Sequence, residues 1–315
     1  MPDMPTTEPA GPGAPPTAPQ PVPPVTREHP RLAVQKTYKL YVGGAFPRSE
    51  SGRSYAVHAA GGAHLANAAH ASRKDVRDAV AAARRACAHW SAATAYNRGQ
   101  VLYRVAEMLE DRREQFAELV AAGEGVAHHA ALAAVDAAVD RWVWYAGWAD
   151  KIAQIAGSSN PVAGPYFNFS LPEPTGVVGV LAPQESSLLG LVSVLAPVLT
   201  SGNAAVVVAS ELRPLPAVAL AEVLATSDLP GGVANILTGR TAELAPVLAR
   251  HRDVDALDLA GASAEIAVEL EQAAADNVKR VLRRDPAEHG WDGEPTPRRM
   301  LAFVETKTVW HPIGV

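Results

Sequence analysis

The chain has 315 residues, of which 48% are hydrophobic, and its formal net charge is -5. This length is enough to bury a sizeable core, and the charge disfavours nucleic acid as a partner. A single cysteine, Cys87, excludes an intrachain disulfide and a cysteine-based zinc site. The longest apolar runs are too short to span a bilayer. We therefore expect no membrane partner and predict a cytoplasmic location.

Residues 1–36 form a segment rich in Pro, Thr, Ala and Gly, with almost no large apolar side chains. Such a composition buries too little surface to offset the entropy of ordering it. We predict a disordered tail. Its composition favours a dispensable extension over a docking arm.

The ordered region is predicted to begin near residue 37. Residues 38–42 (YKLYV) and 54–57 (SYAV) have the composition of short strands, and Gly43 and Gly44 supply a turn after the first. This pattern predicts an antiparallel hairpin.

Three helices are predicted to follow the hairpin. The first has Ser72 as its candidate N-cap, with Asp75 three residues on. Its apolar residues recur at helical spacing as far as Cys87, so this thiol is expected to be buried and unreactive. The second helix is expected over about 97–121 and the third over about 130–155.

From residue 176, short apolar runs alternate with helical patterns. Strands are predicted at 177–182, 204–208, 233–237 and 256–259, and helices near 187–200, 214–226, 241–250 and 263–284. Continuous apolar strands separated by helices are typical of a parallel sheet covered on both faces. The predicted fold class is α/β, a Rossmann-like doubly wound parallel sheet preceded by helices. Together with the hairpin it makes one domain over 37–284.

The end of the chain has a different character. Residues 285–299 are polar and rich in Pro and Gly, which predicts a linker. Residues 300–315 contain one isolated β pattern, MLAFVETKTVW. A lone strand is not stable by itself, so it must add to a sheet in its own chain or in a partner's.

Several stretches, taken in order, resemble the aldehyde dehydrogenase superfamily. They are NRGQVLYR at 97–104, YAGWADK at 145–151, EPTGVVGV at 173–180, LPGGVANILTG at 229–239 and the AGAS turn at 260–263. FVETKTV at 303–309 resembles the strand with which family members close, and which adds there to a neighbouring subunit's sheet. The resemblance covers about 38–270 and again 300–310. It implies a short member that lacks the catalytic domain between them.

The reaction implied by the resemblance needs groups that this sequence lacks. Family members use a cysteine thiolate to attack an aldehyde, a nicotinamide cofactor to accept hydride and a Glu to activate water. The missing segment is the one that carries the cysteine and that Glu. Glu185 stands where the family places the Asn that donates to the oxyanion, and a carboxylate repels an oxyanion. No catalytic residue is therefore assigned, and Glu185 is interpreted as a degenerate position.

The cofactor site implied by the resemblance is partly preserved. Its candidate residues are Pro183, Ser210, Glu211, Gly239 and Gly261. Glu211 matches a ribose-binding Glu, but the accompanying Lys is Val208 here and the hydroxyl of the phosphate turn is Ala262, with Ser263 as a partial substitute. Pyrophosphate binding would rest on backbone N–H groups and the helix dipole. NAD or NADP is expected to bind weakly or not at all, and no metal site is predicted.

Three functions stay open at this point. The first is a non-catalytic structural or regulatory subunit, a pseudoenzyme that forms a homo-oligomer or a hetero-oligomer with a full-length aldehyde dehydrogenase. The second is an NAD(P)-dependent aldehyde oxidoreductase that uses a partner's cysteine or another mechanism. The third is a nucleotide-binding sensor without turnover. Preserved structural motifs beside altered chemistry favour the first.

Overall fold

A computed structural model describes residues 35–284 and 290–314. The predicted tail as far as residue 34, and residues 285–289 of the predicted linker, lie outside the described residues. Within them the strands are β1 Thr37–Tyr38, β2 Ser54–His58, β3 His64–Ala69, β4 Ser158–Asn160, β5 Tyr166–Pro174, β6 Val177–Leu181, β7 Ala204–Val208, β8 Ala234–Leu237, β9 Ala256–Asp258, β10 Arg280–Leu282 and β11 Val304–Pro312. The helices are α1 Arg73–Ala92, α2 Ala95–Glu110, α3 Arg113–Glu124, α4 His128–Trp148, α5 Ile152–Ala156, α6 Leu189–Thr200, α7 Leu215–Ala225, α8 Thr241–Arg250, α9 Ala264–Ala275 and α10 Arg298–Ala302.

The main sheet has five parallel strands in the order β10-β9-β6-β7-β8. Successive side chains of a strand point to opposite faces, so the sheet contributes to two cores. Val178 and Val180 of β6 pack in the core that contains α6 and α7, whereas Val177 and Leu181 pack in the core that contains α1, α8 and α9. Burial of both faces explains why these strands are continuously apolar. The α/β, doubly wound, Rossmann-like fold class is confirmed.

The fifth strand, β10, was not predicted, because the sequence predicted a helix as far as residue 284. The helix α9 ends at Ala275, and Val278 has a φ of 58° in the left-handed region, which turns the chain back. β10 then pairs with β9, whose outer backbone groups would otherwise have no partner on that side. A sheet edge that needs a partner therefore prevails over the local helical pattern.

The predicted antiparallel hairpin of residues 38–42 with 54–57 is wrong. β1 pairs in parallel with β3, and β2 pairs with β3 in an antiparallel ladder. The turn at Gly43 and Gly44 exists, but it joins only Val42 to Ala45. Tyr41 instead exchanges backbone hydrogen bonds of 2.9 and 2.7 Å with Ile236 of β8. Tyr41, which was predicted to belong to the hairpin, thus pairs with the edge strand β8 of the main sheet.

The N-terminal helices begin close to their predicted positions, but the second and the third predicted helices are each divided into two. Ser72 caps α1 in a capping box with Asp75. The helix predicted over 97–121 is two, because the chain leaves helical geometry at Arg112 (φ -106°, ψ 17°). This bend turns α3 so that Phe116 is fully buried. The helix predicted over 130–155 likewise divides into α4 and α5.

The isolated C-terminal strand pairs within its own chain. β11 lies antiparallel to β5, and β4 completes a three-stranded sheet of order β11-β5-β4. The first residues of the predicted strand, from Met300 to Ala302, belong instead to the helix α10. Met300 of this helix and Phe303, which follows it, are fully buried and pack in the core that contains α6.

Candidate functional site

The loops that follow β6, β7, β8 and β9 meet at the carboxyl edge of the main sheet. Chain order reverses between β6 and β9, and in doubly wound sheets this switch point is where ligands bind. The five predicted cofactor residues all lie on these loops: Pro183, Ser210, Glu211, Gly239 and Gly261. Gln184 joins two of the loops, because its carbonyl oxygen accepts from Ser210 Oγ (3.1 Å) and its Oε1 accepts from the Glu211 backbone N–H (2.8 Å).

Glu211 already has protein partners at this edge. Its Oε2 accepts from the backbone N–H of Thr241 at 3.1 Å, in the first turn of α8. Its Oε1 lies 3.5 Å from the Arg240 guanidinium. A carboxylate at a helix N-terminus is favourable because the helix dipole is positive there. Glu211 therefore stabilises the start of α8 in the free protein, while its side chain stays 30% exposed.

The turn after β9, which the family resemblance assigns to pyrophosphate, is closed by its own backbone. The N–H of Gly261 donates to Leu181 O (2.9 Å) and that of Ala262 donates to Leu259 O (3.0 Å). A Cβ atom at Gly261 would lie 1.9 Å from Ala182 O, so packing alone requires glycine at this position. These two backbone N–H groups are thus used within the protein and are not available to a pyrophosphate.

The N-terminus of α9 carries a negative charge of its own. The pKa of Glu265 is lowered by its own backbone N–H and by the Ser263 hydroxyl, so the carboxylate occupies the positive end of the helix. A phosphate at this position would meet an ionised carboxylate. The residues present fit the adenosine side of a dinucleotide at Glu211, but they do not fit its pyrophosphate.

The remaining two cofactor candidates have packing roles. Gly239 has a φ of +146°, and a Cβ atom there would lie 3.1 Å from the His70 ring. Pro183 is buried against Gly190 in the first turn of α6, where a Cβ atom would lie 3.0 Å from the proline ring.

Glu185 anchors a segment of residues 290–299, here called the strap. The indole Nε1 of Trp291 donates to Glu185 Oε1 at 3.0 Å, and Arg284 donates to the same oxygen at 2.6 Å. Partial burial raises the pKa of the Glu185 carboxyl, but the hydrogen bonds outweigh it and the pKa lies below the usual value of 4.5. Glu185 is therefore an ionised acceptor for the strap.

A buried ion pair fixes the far end of the strap. Arg299 NH1 lies 2.8 Å from Asp258 Oδ2 at the end of β9, and both side chains are buried. The guanidinium groups of Arg284 and Arg299 lie 4.5 and 5.3 Å from the Trp291 ring. Trp291 itself is only 8% exposed. The predicted linker thus carries a packed segment that lies at the carboxyl edge of β6 and β9.

Two cavities lie beside this edge. One of about 490 Å³ is bounded by β2 and the loops after β7 and β8, where the Tyr55 hydroxyl donates to Glu211 O at 3.2 Å. Burial raises the pKa of Tyr55 far above its ordinary value. The other, of about 360 Å³, lies beneath the strap and is lined by Arg141, Tyr145 and Ser193. Sequence reasoning missed this second group, because its members come from three distant segments and no local pattern marks them.

The thiol of Cys87 does not belong to the candidate site. Cys87 lies on the apolar face of α1, is 8% exposed, and burial raises its pKa. Within residues 35–284 and 290–314, no cluster of three or more His, Cys, Asp or Glu side chains has an arrangement suited to a metal ion. No helix in those same ranges has the length and apolar character needed to cross a membrane.

Comparison with known proteins gives a consistent result. A family model described as "Aldehyde dehydrogenase family" matches residues 46–284. The chain is 32% identical over 256 residues to "Aldehyde dehydrogenase, cytosolic 1" of Elephantulus edwardii, which covers 79% of this chain and 50% of that protein. It is 32% identical over 259 residues to the cytosolic 10-formyltetrahydrofolate dehydrogenase of Mus musculus, covering 80% of this chain and 28% of that one. An NAD⁺ complex of an aldehyde dehydrogenase from Bacillus cereus superposes with a TM-score of 0.75 at 27% identity, covering 79% and 50%. The chain thus spans half or less of the length of these relatives.

Proposed function

The chain belongs to the aldehyde dehydrogenase family, and on that premise we propose that it is a non-catalytic member that acts as a structural or regulatory subunit. It assembles with a second copy of itself or with a full-length aldehyde dehydrogenase. The observation that carries the proposal is the long exposed edge strand β11, which has a paired strand on one side only among the described residues.

The state of the carboxyl edge supports a role without turnover. The thiol of Cys87 is buried in α1, and the 315 residues hold no other cysteine. Glu185 takes the position of the oxyanion donor, but it is an ionised acceptor bound to the strap. A nucleophile and an oxyanion donor are the two parts that acyl chemistry of this family requires.

The backbone of β11 supports assembly. Thr175 N–H donates to Phe303 O (3.2 Å), and Ile313 N–H donates to Pro165 O (2.8 Å), so the odd-numbered positions exchange hydrogen bonds with β5. In an antiparallel pair these positions alternate with ones whose N–H and C=O point away. Thr306, Thr308 and Trp310 therefore direct their backbone groups to the outer edge of the sheet, where the described residues contain no further strand. Such an edge pairs readily with another chain.

Apolar side chains next to that edge favour burial in an interface. Phe167 and Leu171 of β5 are 50% and 42% exposed, and Trp310 of β11 is 58% exposed. Phe167 also contacts Phe169 with ring centroids 5.4 Å apart. Phe167, Phe169 and Leu171 lie on one face of this sheet and Trp310 lies on the other. An exposed apolar patch such as the Phe167–Leu171 face is typical of a protein–protein surface.

Nucleotide binding is secondary in this proposal. The adenosine side keeps Glu211, but the pyrophosphate turn has no free backbone donor at Gly261 or Ala262. We therefore propose that NAD and NADP bind weakly and do not drive the function. Aldehyde oxidation by the isolated chain is not part of the proposal.

A proline substitution at the outer edge tests assembly. Thr306→Pro removes an N–H that points away from β5, and proline is tolerated at such positions of edge strands. Thr306→Ala is the matched control, since it removes the same side chain but keeps the N–H. Size-exclusion chromatography with light scattering is expected to show an oligomer for the wild type and Thr306→Ala, and a smaller species for Thr306→Pro.

The same measurement separates the two assemblies. If the wild type is a monomer alone, it is mixed with a full-length aldehyde dehydrogenase from the same cells, and a complex sensitive to Thr306→Pro is expected. A wild-type monomer that forms no such complex would contradict the proposal. Equal oligomer content in the folded Pro and Ala variants would show that β11 is not the contact.

A further inference from the structure

Arg141 of α4 is a buried cation without a buried anion beside it. The residue is 8% exposed, and no carboxylate of the described residues lies within ion-pair distance of it. One terminal nitrogen donates to Ser193 Oγ and the other donates to Gly293 O at 2.6 Å. The Nε atom is buried and has no hydrogen-bond partner within residues 35–284 and 290–314. A guanidinium has five N–H donors, so most of this group's capacity is unused.

Such an arrangement is unfavourable unless something else balances it. Taking a guanidinium out of water is costly when no counter-ion accompanies it. The other buried arginine of this region, Arg299, has Asp258 at 2.8 Å. Unlike Arg299, Arg141 thus has no carboxylate partner within residues 35–284 and 290–314.

The cavity beneath the strap gives that partner a place. It has a volume of about 360 Å³ and is lined by Arg141, Tyr145, Ser193, Trp291, Pro295 and Arg299. This size is in the lower range of small-molecule sites, which combine apolar walls with a few placed polar groups. Trp291 and Pro295 supply the apolar wall.

The charges around the cavity restrict what it accepts. Glu294 is exposed and lines the cavity together with Arg141. Its carboxylate repels a ligand that carries several negative charges. A ligand with one negative charge, placed on Arg141, and an otherwise uncharged body would pair with Arg141 and avoid repulsion by Glu294. A planar guanidinium matches a carboxylate in shape as well as in charge.

We propose that this cavity binds a small organic monocarboxylate, with its carboxylate on Arg141 and its apolar body against Trp291. The strap forms one wall of the site, so the ligand also holds the strap in place. The site is independent of β11, so its failure would leave the proposed assembly untouched.

Binding is tested on the full chain with benzoate as the probe. Calorimetry is expected to give a dissociation constant of about 1 mM or tighter, as suits a small ligand with few contacts, and benzoate is expected to raise the Tm. Benzamide has the same ring without the charge and is expected to do neither. Inorganic phosphate is the third arm. A Tm raised by phosphate and not by benzoate would overturn the proposal that the ligand is an organic carboxylate. If neither anion binds or raises the Tm, the proposed site itself is wrong.

Substitution of Arg141 locates the effect. Arg141→Met is expected to abolish the benzoate response and to leave the ligand-free Tm unchanged or raised, because the unpaired charge is gone. Ser193 Oγ keeps a bond to Leu189 O in that variant. Arg141→Lys retains the charge without the planar fork and is expected to weaken benzoate at least tenfold. Arg104→Met, at an exposed ion pair with Asp228, is the control and should bind as the wild type does.

Two results would overturn the proposal. One is benzoate affinity in Arg141→Met or Arg141→Lys equal to that of the wild type. The other is an equal loss in the control variant, since that would show a general effect of removing surface charge. If Arg141→Met does not fold, the Arg141→Lys titration and the benzamide comparison decide the question by themselves.

Discussion

The buried pair of Arg299 and Asp258 allows a quantitative test of how the strap is held. Asp258 is 0% exposed and lies 2.8 Å from Arg299 NH1. Arg299→Met keeps the apolar length of the side chain but deprives a buried carboxylate of its guanidinium. Removing one partner of a buried pair costs about 3–5 kcal/mol. For a unit of this size, such a loss lowers the Tm on the order of 10 °C.

Urea unfolding of the variants at neutral pH gives the free energy directly. The double variant Asp258→Asn/Arg299→Met removes both charges and is expected to recover most of the lost stability. Arg280→Met breaks an exposed pair with Glu305 and serves as the control, with an expected loss of about 1 kcal/mol or less. If Arg299→Met costs no more than this control, the pair is not a buried anchor and the reasoning is refuted.

Two further predictions concern the carboxyl edge. The pKa of Glu185 is lowered in the folded state, so its contribution to stability is present above the unfolded pKa and is lost as pH falls through the folded value. The urea midpoint of the wild type is therefore expected to fall more steeply than that of Glu185→Gln between about pH 5 and pH 3, and parallel curves would contradict this. Calorimetry with NAD and NADP is expected to show no resolvable heat at about 1 mM ligand, because the N–H groups of Gly261 and Ala262 are engaged. A dissociation constant below about 0.1 mM would disprove that explanation.

The sequence by itself determined the elements whose cause is local. Continuous apolar runs between helical patterns are specific to a parallel sheet buried on both faces, and β6 to β9 lie within a residue or two of their predicted bounds. Ser72 was identified as a cap because capping depends on a few adjacent residues. The predicted cofactor residues lie at one edge because the carboxyl ends of parallel strands meet there.

Only the tertiary structure decided what depends on direction and on distant partners. Tyr41 and β10 pair with the two edges of the main sheet, although the local sequence pattern predicted a hairpin for the first and a helix for the second. The bend at Arg112 follows from where Phe116 can be buried, which periodicity does not encode. Arg141 and Trp291 are 150 positions apart, so no spacing in the sequence joins them, and they meet only because the strap packs at the carboxyl edge. Local patterns select the elements, whereas burial and charge balance across the fold decide which groups stay free for a ligand.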